Sequence, residues 1–519
     1  MTDRWTGYGQ TGPTTTSGWT LSTVTGPSAL WGANGILLSP TGELIVTQVF
    51  GAQVTAVDIA TGAARPYAPQ GEEISAPDDG AFTMDGTFFA TEPPNGRVTF
   101  RRPDGTFGTL RDDLPGANGM TVSHDSRRLF VDEFRPGGRL LELDPSGERD
   151  PVVLADDLAM PNAFAMGPDG ALWFPQVLAG EIWRYDLDTG GLERRITDLA
   201  TPTAVKFDAA GRLITSQGGT GEVTAIDIAT GARTALAQVN PGIDNFAISD
   251  QGRLFVSHFT DGRLAEVTSG TERLLSPSGL IGPFGLARMA DGSLASADAL
   301  AVNRIEADGS TAVIASLLAD LPGMAVDVAA AGDDLLILIG RGQVLRRSPD
   351  GSLRSVAGHL GGVSAMVEAP GGGAYVVDRS GGRVVHIDGI GEILGEAASG
   401  LTDPRAVAAA PDGTVWVSHS GGATGFVDGR AVATLGGVTN PEGIGVTSTT
   451  ALLAEPATRR LVAIDLASGT STTVIQDAPI GPAIAGASLP HRFTPVLADV
   501  DGFLIGCDGD GSIRRLTRA

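Results

Sequence analysis

Residues 32–48 read GANGILLSPTGELIVTQ, and variants of this stretch return as GANGMTVSHDSRRLFVDE (116–133), MPNAFAMGPDGALWFPQ (160–176), GIDNFAISDQGRLFVSH (242–258) and DPRAVAAAPDGTVWVSH (403–419). Each copy has a small residue or proline, one variable residue, an apolar strand, a turn closed by glycine in all but 116–133, and a second alternating strand. From about Gly32 to the end of the chain the unit occurs twelve times. The spacing is roughly forty residues, as for four-stranded propeller blades. The expected fold is all-β, with twelve four-stranded blades in tandem β-propellers.

Composition fits many short strands joined by tight turns. The chain holds 73 glycines and 31 prolines, and only 18% of its residues are charged. A net charge of -24 repels phosphate backbones and anionic membranes, which argues against nucleic acid and membrane partners. The one cysteine, Cys507, excludes an internal disulfide framework and reads as a small strand residue. The first residues, MTDRWTGYGQTGPTTTSG, lack an apolar core, and no apolar run reaches the length of a bilayer span. A soluble, cytoplasmic protein is the expectation.

Strand counting bears on how the blades are grouped. A typical copy runs through an inner strand (Gly35 to Ser39), a second (Leu44 to Thr47), a third (Val54 to Asp58) and an outer strand. The chain instead begins with an outer-type strand, Thr20 to Val24, and ends on a third-type strand, Ser512 to Thr517. In one closure Thr20 to Val24 completes the sixth blade and Thr271 to Leu275 the twelfth. In the other, a single twelve-bladed ring closes between the chain termini. Because propellers usually have four to eight blades, two six-bladed rings are expected, covering 1–270 and 271–519, with the boundary near Gly270.

The variable residue at the mouth of the inner strand distinguishes the halves. In the first it is Asn34, Asp78, Asn118, Asn162, Thr203 and Asp244, all bearing oxygen; in the second it is Phe284, Met324, Ser364, Arg405, Glu442 and Thr494. Inner strands converge on a propeller's axis, so the first set forms a ring able to hold a cation. Hard oxygen ligands suit Ca²⁺ and, with tighter geometry, Mg²⁺. The scattered histidines His124, His258, His359, His386, His419 and His491 offer no structural zinc spacing. Asn and Asp could instead cap the turn entering each strand, but that role would give both halves the same residues. In the second half Arg405 and Glu442 sit on adjacent blades, where an ion pair would plug the axis beside Phe284 and Met324. That half is expected to be structural or to bind a protein partner.

A second recurring position ends the second strand. It is Gln48, Glu92, Glu133, Gln176, Gln217 and His258 in the first half, and Asp298, an apolar residue near Leu338, Asp378, His419, Glu455 and Asp508 in the second. Acidic residues here stabilise Gly-rich turns by accepting backbone hydrogen bonds, as in VVDRSGGRV around Asp378. Gln, Glu and His are poorer turn residues. Glu92, Glu133 and His258 are therefore the candidates for proton transfer.

These copies resemble the calcium-dependent six-bladed propellers regucalcin and gluconolactonase and, more distantly, the paraoxonases, diisopropyl fluorophosphatase and strictosidine synthase. The likeness rests on Asn118 in GANGM, Asn162 in MPNAF, and Asp244 with Asn245 in GIDNF. It covers the first half best and implies one divalent ion held by inner-strand Glu, Asn and Asp residues. This chain departs from that pattern with Asn34 where the family has Glu and Thr203 where it has Asp, and offers Asp78 and Asp244 as acidic ligands. LWFPQVLAGEIWRYD around Gln176 resembles the repeats of virginiamycin B lyase, and NHL-type binding propellers carry similar ones. The resemblance implies opening of a lactone or related ester by a divalent cation, Ca²⁺ foremost, with Mg²⁺, Mn²⁺ or Zn²⁺ as alternatives. Asn34, Asp78, Asn118, Asn162 and Asp244 would be ligands, and His258, Glu133 or Glu92 the base. A lyase acting on a cyclic ester and a non-enzymatic binding propeller are the other two readings.

Overall fold

The computed structural model describes residues 12–27, 29–68, 74–268, 271–358, 360–481 and 493–519. Among these the chain is all-β, with two short 3₁₀ turns at Pro93–Asn95 and Pro456–Thr458. Twelve antiparallel sheets follow one another, each built from four consecutive strands except the last two, which take in strands from the N-terminus. The first comprises Ile36–Leu38, Leu44–Gln48, Gln53–Val57 and Ala64–Ala68.

The turn glycine explains the hairpin that opens each sheet. Gly42 sits at φ 82° and donates its N–H to the Ser39 carbonyl at 2.9 Å, closing a tight turn that L side chains enter only with strain. The strand that follows is enclosed on both faces: Leu44–Gln48, Phe88–Glu92, Leu129–Glu133, Leu172–Gln176, Leu213–Gln217 and Leu254–His258 are buried throughout. Outer strands such as Leu192–Ile196 are mostly exposed. The core therefore lies between neighbouring sheets.

The chain divides between Ser278 and Gly279 into two units, and the N-terminal strands belong to the second. In the first unit the sixth sheet returns to the first. Ile36, Leu44 and Val46 pack with Ala247, Phe255 and Leu264, and Ser257 Oγ donates to the Asn34 carbonyl at 2.6 Å. In the second, Leu286 and Leu294 of the seventh sheet pack with Leu504 and Ile513 of the twelfth.

The strand exchange expected from sequence does not occur. Thr271–Ser276 completes its own sheet, the sixth, beside Leu264–Thr268. Trp19–Thr25 completes the twelfth beside Ser512–Arg518, with Leu21 opposite Leu516. Pairing with the adjacent strand closes a far shorter loop than pairing with a strand from the other end of the chain, so the local hairpin wins for the sixth sheet. The boundary thus falls after the Thr271–Ser276 strand; Gly270, where the sequence placed it, lies outside the described residues, as do His359 and His491. Trp19 and Leu21 cover Phe503, Ile505 and the fully buried Leu516, and Thr14–Thr15 adds a fifth strand to the eleventh sheet.

Candidate functional site

Asn34, Asp78, Asn118, Asn162 and Thr203 are all buried at the mouths of the first unit's inner strands, and Asp244 keeps partial exposure there. Their backbones are tied sheet to sheet. Thr47 Oγ1 donates to the Asp78 carbonyl, Thr91 Oγ1 to that of Asn118, and Ser257 Oγ to that of Asn34. The approach at the axis is close enough that a Cβ on Gly35 would stand 2.4 Å from the Asp78 carbonyl oxygen and 2.8 Å from Asp79 Oδ1.

The carboxyls of buried Asp78 and half-buried Asp244 are close enough for the charge of one to act on the other. Burial pushes Asp78 well above the ordinary carboxylate range, and the charge of Asp244 adds to this while a hydrogen bond from Asn118 opposes it. Asp244 is pushed up to about 7, first by burial and then by the charge of Asp79, against a hydrogen bond from Asn34. Such groups repel one another until a proton or a cation lies between them. Asn34 Oδ1 accepts from Val49 N at 3.2 Å and Asn162 Oδ1 from Ala163 N at 2.7 Å. The buried Asn118 Oδ1 has no hydrogen-bond partner among the described residues. Asp78 thus feels the charge of Asp244 and the amide of Asn118, and Asp244 the amide of Asn34, while Asn162 occupies the equivalent place on the fourth sheet without a bond to them among the described residues. Among the described residues no three His, Cys, Asp or Glu side chains converge in a metal-holding group. Two carboxyls and amide oxygens are what this mouth offers.

Sequence reasoning overlooked a second layer. Asp79 Oδ2 accepts from Met120 N at 3.3 Å and its Oδ1 from Asn245 Nδ2 at 3.4 Å, joining the second, third and sixth sheets. Burial raises its pKa and the Lys206 charge opposes that rise. Asp132 is fully enclosed; burial pushes it up to about 8, although its Oδ1 accepts from Gly119 N at 2.9 Å.

The three side chains singled out for proton transfer are engaged differently. Glu92 has no exposed surface. Its Oε2 accepts from Ser75 N, Ala76 N, Asn95 Nδ2 and Arg97 Nε at 2.9–3.2 Å, and Oε1 accepts from Thr99 Oγ1 at 3.0 Å. Glu133 pairs with Arg135 and Arg139; burial acts to raise its pKa, but the two guanidinium groups outweigh it and hold it below the usual range. His258 is driven down to about 3 by burial and then by Arg263, with Nδ1 3.8 Å from Asp261 Oδ1 and neither ring nitrogen hydrogen-bonded among the described residues. None is placed in the Asp78–Asp244 group. In several sheets the position of Glu92 works as a clip on the entering loop. Gln48 Oε1 accepts from Trp31 N, Gln217 Oε1 from Ala200 N, the Asp298 carboxylate from Ile281 N and Gly282 N, and Glu455 Oε1 from Thr439 N.

In the second unit the axis is filled. Arg405 Nη1 lies 3.7 Å from Glu442 Oε1, and Phe284 meets Phe493 edge-on at 5.8 Å between ring centroids. The remaining cavity beside Asp327 and Ser364 is about 40 Å³, room for about one or two waters.

No family model matches the sequence, and no curated protein matches it. Solved structures similar to this chain include a streptogramin B lyase, at 18% identity and a TM-score of 0.40, covering 54% of this chain and 94% of that one. A protein assigned as a gluconolactonase has 16% identity and a TM-score of 0.40, covering 50% of this chain and 95% of that one. The calcium-binding protein regucalcin from Agrobacterium tumefaciens has 19% identity and a TM-score of 0.37, covering 46% and 85%.

Proposed function

We propose that the first unit is a divalent-cation-dependent hydrolase that opens a lactone or related small ester, and that its site is the mouth of the channel. The observation that carries this reading is the Asp78–Asp244 carboxyl pair, braced by the amides of Asn118 and Asn34, with the buried Asn118 Oδ1 left without a partner. The donor set fits a hard cation: all-oxygen, with two negative charges to balance the ion, which favours Ca²⁺ over zinc. Asp78, Asp244, Asn34, Asn118 and Asn162 would hold it. When bound, such an ion polarises an ester carbonyl and makes a water more acidic.

The chain's own part is to gather these oxygens, keep water sparse around them, and move a proton. Without the ion Asp244 stands near 7, so taking up the cation would displace a proton from the mouth around neutrality. Glu92 and Glu133 are committed to arginines and loop amides, and His258 is too weak a base at about 3. The second unit, with its axis closed by Arg405 and Glu442, is read as structural or as a surface for a protein partner.

The test is a panel of lactones and esters assayed with Ca²⁺, Mg²⁺, Mn²⁺ and Zn²⁺ after chelation, on the wild type, Asp244→Ala and Asn162→Ala. Both variants are expected to lose bound cation and turnover while keeping their circular dichroism. Full hydrolysis by both would overturn the site, and an unsaturated product without incorporated water would identify an eliminating enzyme instead.

A further inference from the structure

Lys206 is the only lysine in the 519-residue sequence; every other basic side chain outside the histidines is arginine. It stands on the inner strand Pro202–Phe207 of the fifth sheet, three residues beyond the mouth position Thr203. At about 3.3 Å per residue that is roughly 10 Å further along the channel. Its Nζ lies 5.8 Å from the centre of the Phe246 ring on the sixth sheet. Among the described residues it makes no hydrogen bond and no ion pair within 4.0 Å. The side chain lines an open cavity of about 450 Å³ whose walls include Ala81, Met120, Phe164, Met166 and Phe207.

Arginine would supply charge at this place equally well, and better for binding a carboxylate or phosphate in two-point fashion. What lysine alone offers is a nucleophilic nitrogen. Burial among these side chains favours the neutral amine and lowers the ammonium pKa against the opposing charge of Asp79, while Thr121 and His124 add polar groups to the same wall. We propose that this cavity is a binding site for a small aldehyde or ketone, which Lys206 Nζ captures as an imine. The balance is simple. The ammonium yields a proton to free its lone pair, nitrogen forms a bond to the carbonyl carbon, and the carbonyl oxygen leaves as water carrying two protons. The product is a protonated imine with the same single positive charge as the starting ammonium, so the Phe246 face and the Asp79 carboxylate serve both states. The cavity admits a short alkyl or single-ring carbonyl compound by volume.

The proposal does not depend on the cation site, and its readout is independent of ester turnover. The full chain is incubated at pH 7 with benzaldehyde and cyanoborohydride in the presence of Nα-acetyl-lysine, then analysed by intact mass and peptide mapping. Lys206 is expected to be alkylated at least about tenfold faster than acetyl-lysine, because the cavity holds the carbonyl compound beside its amine. Filling the cavity with Ala81→Phe should slow this step, and Lys206→Met should abolish the lysine adduct. Labelling of the α-amino group alone, or of Lys206 only after unfolding in urea, overturns the proposal in the wild type without recourse to either variant.

Discussion

Replacing Asp132 by asparagine is expected to stabilise the first unit, by an amount that grows with pH. Asp132 occupies the second-strand position where four other sheets of the unit carry Thr47, Thr91, Ser216 and Ser257 and the fourth carries Pro175. Three of those hydroxyls donate to the carbonyl of a mouth residue in the next sheet. Asp132 Oδ1 is satisfied by Gly119 N, but Oδ2 has no partner among the described residues, and a Cβ on Gly119 would stand 2.6 Å from it. Burial moves the carboxyl from an ordinary 3.8 up to about 8. The folded state therefore holds the proton more tightly than the unfolded chain. The stability this confers is complete below about pH 4 and lost as pH rises through about 8. Each unit is worth about 1.4 kcal/mol, so the loss totals about 6 kcal/mol across the range. Asparagine keeps the oxygen that accepts from Gly119 and has nothing to titrate. Its advantage over the wild type should therefore widen by about 4 kcal/mol between pH 5 and pH 8. Urea unfolding at four pH values, followed through the fluorescence of the buried Trp31 and Trp173, measures it. A difference between the two proteins that stays flat with pH, or narrows, would refute the reasoning.

Two further outcomes are expected. Because burial and neighbouring charge raise Asp78 and carry Asp244 up to about 7, Ca²⁺ affinity should rise with pH through neutrality as ionised carboxyls become available. Calorimetry in buffers of different ionisation enthalpy should register net proton release on binding at pH 7; affinity independent of pH from 5 to 8 would contradict the carboxyl pair as ligands. Glu92→Gln leaves Arg97 and the Ser75–Ala76 amides with a weaker partner, and should cost about 3–5 kcal/mol in urea unfolding while leaving turnover of the folded protein unchanged. A folded Glu92→Gln protein without turnover would return Glu92 to the chemistry.

The strands and the mouth residues were legible because both are written in the repeat. A turn glycine with alternating apolar residues fixes two strands wherever it occurs, and the aligned position before each inner strand brought Asp78, Asn118 and Asp244 together before any coordinates. The grouping of outer strands was not legible. TLSTV and TERLL are equally plausible outer strands, and nothing local in Thr20 to Val24 names Ser512–Arg518 as its partner. Asp132 was visible in principle as the one carboxyl among aligned hydroxyls, and Lys206 by counting lysines. Asp79 was hidden because its importance comes from the axis, where it meets Met120 and Asn245 from sheets far apart in sequence. Glu92 recurs for a structural reason that the repeat alone does not reveal, a loop clip shared by several sheets, whereas Glu133 is held by two arginines and His258 is buried beside Asp261.

The pairing of Trp19–Thr25 with Ser512–Arg518 also sets an order of events during synthesis. The first unit draws its six sheets from strands that end at Ser276, so it can complete itself while the ribosome is still making the rest. The N-terminal strand, made earlier than any of these, has no partner in that unit. At ordinary elongation rates it must wait on the order of tens of seconds for residue 518. Its polar alternation, with threonine and serine between Trp19 and Val24, keeps it from serving as an adhesive edge during that interval.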